Sequence, residues 1–136
     1  MKSPNSLFNT VATHDHLGFW ANETVKAREV ADFLGFDRKD VAKVAGVAPA
    51  SVRFDQKIPR EVEERFQEIA NVCALVAEFF EGDATKTALW FKTRNPMLGD
   101  ISPRDMIRFG RYSRLQRFVQ DAMSQNPPRS QSESEK

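Results

Sequence analysis

Three observations predict an all-α fold. Between Pro59 and Glu81, Val62, Phe66, Ile69, Cys73, Val76 and Phe80 recur at alternating intervals of four and three, the spacing of one helix face. Residues that start and stop helices bracket several shorter stretches, among them Asp37 to Gly46 and Ser102 to Gly110. No alternating run rich in Val, Ile or Thr marks a strand. With 136 residues, 40% hydrophobic and 29% charged, the chain can form one compact core or two small modules sharing a helix.

The organisation read from these signals has four parts: an irregular arm over 1–23, a helix-turn-helix module with a long central helix over 24–82, a small helical module over 83–123, and a disordered tail over 124–136. Leu7, Phe8, Leu17, Phe19 and Trp20 are scattered through the arm without a period. A first helix is expected from Asn22 to Leu34, with Val25, Val30, Phe33 and Leu34 inward and Gly35 closing it. Asp37 caps a second helix from Arg38 to Ala45, which Gly46 ends, and a third begins near Pro49 and carries Val52.

The long helix is expected to start with Pro59 at its first helical position, where the missing N–H is no loss, and to stop at Gly82. Val72, Leu75 and Phe79 add a second apolar stripe. The helix is therefore either sandwiched between the two modules or one side of a homodimer seam. Asp83 caps a helix through Trp90 and Phe91, Asn95-Pro96 forces a loop, and Ser102-Pro103-Arg104-Asp105 opens a short helix that Gly110 stops. The last helix runs from Tyr112 to Met123, with Leu115, Phe118, Val119 and Ala122 on one face. After Met123 no apolar residue remains to offset the entropy of ordering the tail.

A net charge of +1 argues against indiscriminate polyanion binding, yet the charge is segregated. From Arg60 to Asp83 two arginines stand against seven acids, and from Lys92 to Arg117 seven basic residues stand against two. The stretches either solvate separate faces or offer a basic patch to an acidic partner or to phosphate. The lone Cys73 excludes an intramolecular disulfide framework, and its place on an apolar stripe reads as core. No stretch is long and apolar enough to span a bilayer and no secretory pattern opens the chain, so a cytoplasmic protein is expected.

The sequence offers no constellation of catalytic groups. Glu61, Glu63, Glu64 and Glu68 suit the solvated N-terminal half of a helix. The six glycines are isolated and form no phosphate-binding loop. His14-Asp15-His16 lacks the further ligands a metal needs, Cys73 being buried, and reads as a surface loop. Neither an enzyme, a metal site nor a cofactor is expected.

A DNA-reading helix-turn-helix needs a small residue in its first helix, a Gly in the turn and an apolar anchor in the second helix. Ala42, Gly46 and Val52 meet those needs, with Val41, Ala45 and Val47 buried around them. Ser51, Arg53, Gln56 and Lys57 are then the DNA-facing donors, Arg53 suiting a guanine edge. Pro49 and Ala50 occupy positions where polar base contacts often stand, and Asp55 puts a negative charge near the phosphates.

From Ala88 to Gly110 the order is Leu89-Trp90, then Asn95-Pro96, Leu98-Gly99, and Ser102-Pro103 leading a short helix. This order, behind a helix-turn-helix, resembles the toxin-binding region of the Xre/MbcA/ParS antitoxins over about residues 25–123. One departure is Gly99-Asp100, where many members carry Gly-Gly. The resemblance implies a protein without chemistry of its own that binds a cognate RES-domain toxin, an enzyme that consumes NAD or transfers ADP-ribose from it, and occludes its active site. The helix-turn-helix reading adds operator DNA as a further partner, and a homodimer or a larger hetero-oligomer with the toxin is expected, since operators are read as paired half-sites.

The toxin-facing residues are then Trp90, Phe91, Asn95, Met97, Leu98, Arg104, Arg108, Arg111, Tyr112 and Arg114, with Arg117 continuing the basic series. Trp90 and Phe91 diverge by about 100° on a helix, so one anchors the core while the other reaches outward. The rival reading is a stand-alone helix-turn-helix transcriptional regulator whose C-terminal part dimerises.

Overall fold

The computed structural model describes residues 14–53 and 57–125, and the order of elements is a two-residue hairpin followed by six α-helices. The strands are β1 (Trp20–Ala21) and β2 (Thr24–Val25), paired antiparallel with Trp20 opposite Val25 and Ala21 opposite Thr24. The helices are α1 (Ala27–Leu34), α2 (Arg38–Ala45), α3 (Arg60–Phe79), α4 (Ala84–Lys92), α5 (Pro103–Arg108) and α6 (Tyr112–Gln125). Single 3-10 turns stand at Pro49–Ser51 and Pro96–Leu98. The all-α expectation holds, with the long helix at the centre.

Several helix ends behave as their residues dictate. Asp37 accepts the Asp40 N–H at 2.8 Å while the Asp40 carboxylate accepts the Asp37 N–H at 3.1 Å, a reciprocal cap at the head of α2. Asp83 caps α4 through the Lys86 N–H at 3.0 Å, and Ser102 caps α5 through the Asp105 N–H at 3.1 Å. Gly35 and Gly46 close α1 and α2 with φ of 73° and 74°.

Four expectations need correction. Asn22 and Glu23 do not open a helix; with φ of 52° and 69° they form the turn between β1 and β2, and α1 begins at Ala27. Both central residues of such a tight turn must take positive φ, which Asn tolerates better than most residues. Pro59 stands one residue ahead of α3, with an extended ψ of 144°, so Arg60 is the first helical residue. The helix expected to carry Val52 is only a 3-10 turn, and Val52, Arg53 and residues 57–59 are not helical. Finally, α6 extends through Ser124 and Gln125, which were assigned to the tail.

The core wraps α3. From Val72 to Glu78 every residue of α3 is buried within this chain, and α3 as a whole packs against α1, α2, α4 and α6. Most of both apolar stripes is thereby used inside the monomer, while Phe79 and Phe80 at their C-terminal ends stay partly exposed. Cys73 lies fully buried, and loss of solvation pushes its thiol well above the ordinary value, the setting of an inert core cysteine. Among the described residues no helix is long and apolar enough to cross a membrane.

Two arginines fasten the C-terminal helices to the N-terminal ones. Arg104 of α5 donates its Nε to the Leu34 carbonyl and Nη2 to the Gly35 carbonyl at 2.9 Å, and lies over the Phe36 ring at 5.6 Å. It thus satisfies carbonyls that the end of α1 leaves without helical partners. Arg108 bridges Asp40 at 3.2 Å and Asp105 at 2.9 Å. Burial pushes the Asp40 carboxyl up, but the Asp37 N–H and the Arg108 guanidinium outweigh it and hold it below its ordinary value.

Candidate functional site

At the far end of α3 the sequence has more apolar residues than the core can cover. Val76, Phe79 and Phe80 from α3, Trp90 from α4, Asn95 and Met97 from the following loop, and Phe118, Val119, Ala122 and Met123 from α6 line an apolar groove of about 250 Å³. Large hydrophobic side chains stand in water on the elements that line it: Phe79 is 45% exposed and Met97 76%, and Leu89, next to Trp90 in the sequence of α4, is 66% exposed. Scattered exposed hydrophobics are ordinary, but several gathered beside an apolar groove mark a surface that binds something.

The loop that carries Met97 is fixed by hydrogen bonds. The Asn95 side chain accepts the Met97 N–H at 2.9 Å, and the Asn95 carbonyl accepts the N–H groups of Leu98 at 2.9 Å and Asp100 at 3.0 Å. The Asn95 N–H donates to the Ile101 carbonyl at 3.2 Å, closing the loop into a bridge. Leu98 is buried as its anchor while Met97 is turned outward. Gly99 and Asp100 both take positive φ, 87° and 64°. Glycine fits such a position at little cost, whereas Asp100 is an acid in the left-handed region.

The predicted toxin-facing residues divide into three groups. Trp90, Asn95 and Met97 line the groove. Phe91, Leu98 and Tyr112 are buried: Phe91 packs edge-on against Trp90 at 5.0 Å and Phe33 at 6.3 Å, and the Tyr112 hydroxyl donates to the Glu68 carbonyl at 2.9 Å, away from the groove. Burial raises the Tyr112 phenol above its ordinary value, so it remains a neutral donor. Arg104 and Arg108 are engaged within the chain, and Arg111, Arg114 and Arg117 stand exposed.

Sequence reasoning left Val76, Phe79, Phe80, Phe118, Val119, Ala122 and Met123 out of the site. The signal was present in the C-terminal ends of both apolar stripes of the central helix and in the apolar face of the last one. Only the packing shows which parts of those faces stay uncovered.

The helix-turn-helix region has a different character. Ala42, Gly46 and Val52 are placed as a compact helical turn requires, with Ala42 and Val52 buried. Ser51, Arg53 and Lys57 are exposed, and Gln56 lies outside the described residues. Arg28, Asp32, Asp37, Arg38 and Arg53 line an open polar cleft of about 750 Å³ beside the Pro49 turn. Its charges are of both signs.

No family model matches the chain, and no curated protein matches it. Among solved structures, it is similar to a chain in the crystal structure of the M. tuberculosis MbcT-MbcA toxin-antitoxin complex, at 23% identity and a TM-score of 0.48, covering 75% of this chain and 93% of that one.

Proposed function

We propose that this protein is an antitoxin with no catalytic role of its own, which neutralises a RES-domain, NAD-consuming or ADP-ribosylating toxin by seating its C-terminal groove on the toxin and occluding the active site. The observation that carries this reading is Met97, held outward by a closed, hydrogen-bonded loop at the lip of an apolar groove. An apolar side chain fixed in water in this way gains by being covered, and a preordered loop lowers the entropy cost of covering it. The loop lies inside the segment that resembles the Xre/MbcA/ParS toxin-binding region. Exposed Arg111, Arg114 and Arg117 then form a basic flank suited to an acidic toxin face.

Operator DNA is a second partner under the same reading, through Ser51, Arg53, Gln56 and Lys57. A buried Ala42, a left-handed Gly46 and a buried Val52 support it. The contact differs from an ordinary recognition helix, because a single 3-10 turn replaces the helix start. Binding of a paired operator calls for two chains.

Co-expression tests the proposal. The full chain is produced with the RES-domain product of a neighbouring gene, growth is followed, and the complex is isolated. Restored growth with a stable complex is the expected result. Toxicity that persists although both proteins accumulate would overturn it.

A further inference from the structure

His14 and His16 alone are too few to hold a metal, and sequence spacing gives no reason to add a carboxylate from 62 residues away. The fold does so. The imidazole nitrogens of His14 and His16 and a carboxylate oxygen of Glu78 all lie within 4.8 Å of one another. We infer that these three side chains form a binding site for a divalent transition cation of the zinc class, fastening the His14–His16 loop to the last turn of α3.

The chemistry of the donors fits. Two imidazoles and one carboxylate are a recognised zinc set, and three protein ligands leave a fourth position for water. Zinc ligands in a tetrahedron are about 3.3 Å apart for bonds of ~2.0 Å. The separations here need only a modest contraction, which the two exposed histidines can supply by side-chain rotation.

The surroundings already hold the ligands in place. Glu78 is buried and accepts the His14 N–H at 3.0 Å, so the prospective carboxylate ligand is oriented by the loop it would help to fasten. The Asp15 carboxylate is turned into its own loop, accepting the N–H groups of Phe19 at 2.8 Å and Trp20 at 3.1 Å. Phe19 is in turn anchored in the core. The rings of His14 and His16 stand 5.4 Å apart. Gly82 lets the His16 ring come close to the end of α3, since a Cβ at that position would stand 3.0 Å from His16 Nδ1.

The site is distinct from the toxin-binding proposal and its test needs no toxin. Tag-free full-length chain is stripped with chelator and titrated calorimetrically with zinc chloride, with magnesium chloride as a control. The expected result is one zinc per chain, a raised Tm, no magnesium binding, and affinity at least tenfold weaker in His14→Ala and in His16→Ala. Both changes are at exposed positions, so the fold is retained. Glu78→Gln keeps an acceptor for the His14 N–H while removing the charge, and it too weakens zinc at least tenfold. Absence of zinc binding, or binding unaltered when both histidines are replaced, would overturn the inference.

Discussion

Two short turns of this chain share one backbone design and present opposite surfaces. Pro49–Ser51 and Pro96–Leu98 are each a single 3-10 turn with proline at the start and an extended residue before it. The first has no side-chain cap, exposes all three of its residues and borders a cleft lined by charges of both signs. The second is capped by Asn95, bridged to Ile101, rooted by Leu98, and lifts Met97 beside an apolar groove. Backbone geometry alone therefore says little about function. The difference lies in how firmly each turn is held and in what surrounds it, and on both counts the second is the better docking surface.

That contrast can be broken from below. Phe91 supports Trp90 from the core, so Phe91→Ala should cost about 3–5 kcal/mol of stability, as buried aromatic truncations do, and should deform the groove with it. Chemical denaturation checks the magnitude, and a loss below about 1 kcal/mol would show that the groove does not depend on this support.

The link between the two regions is the next largest expected effect. Arg104→Ala removes the donors to the Leu34 and Gly35 carbonyls, and the charge-assisted bonds lost suggest a cost of about 1.5–3 kcal/mol. Hydrogen exchange should then rise at the end of α1 before it rises in α6. Asn95→Ala removes only the Met97 cap, for a cost of about 1 kcal/mol, with faster exchange confined to the loop around Met97.

A smaller effect follows from Asp40. Its carboxyl is held below the ordinary value in the folded chain, so its contribution is fully present above an unfolded pKa near ~4 and is lost as pH falls through the lower folded value. Tm followed from neutral to acid pH should therefore fall less steeply in Asp40→Asn than in the parent chain below that point. Equal slopes would remove the Asp40–Arg108 link from the account.

Local signals made much of the fold legible. Asp37, Gly46, Asp83 and Ser102 act within one turn of the chain, and each capped or closed its helix as read. The Asn22-Glu23 turn was missed because a two-residue strand is too short to show alternation. The site was legible only in part. Trp90, Asn95 and Met97 could be picked out by type and position, but Phe91, Leu98 and Tyr112 carry the same signal and are buried. Arg104 and Arg108 look like the other arginines of their series until Leu34, Gly35 and Asp40, some 70 positions away, are brought beside them. Glu78 joins His14 and His16 for the same reason: proximity between distant positions is a product of packing.

The central claim of the proposal concerns which end of the molecule a toxin partner would meet. The direct measurement is neutralisation and complex affinity for Leu89→Asp with Met97→Asp, compared with Arg53→Ala, each in the full chain. Both apolar positions are exposed, so folding should be retained while two hydrophobic contacts are replaced by charges. The account predicts a loss of about 2–4 kcal/mol in binding, roughly thirtyfold to a thousandfold, with neutralisation abolished in the double variant and unchanged in Arg53→Ala. Full neutralisation by the double variant, or its loss in Arg53→Ala, would contradict the account.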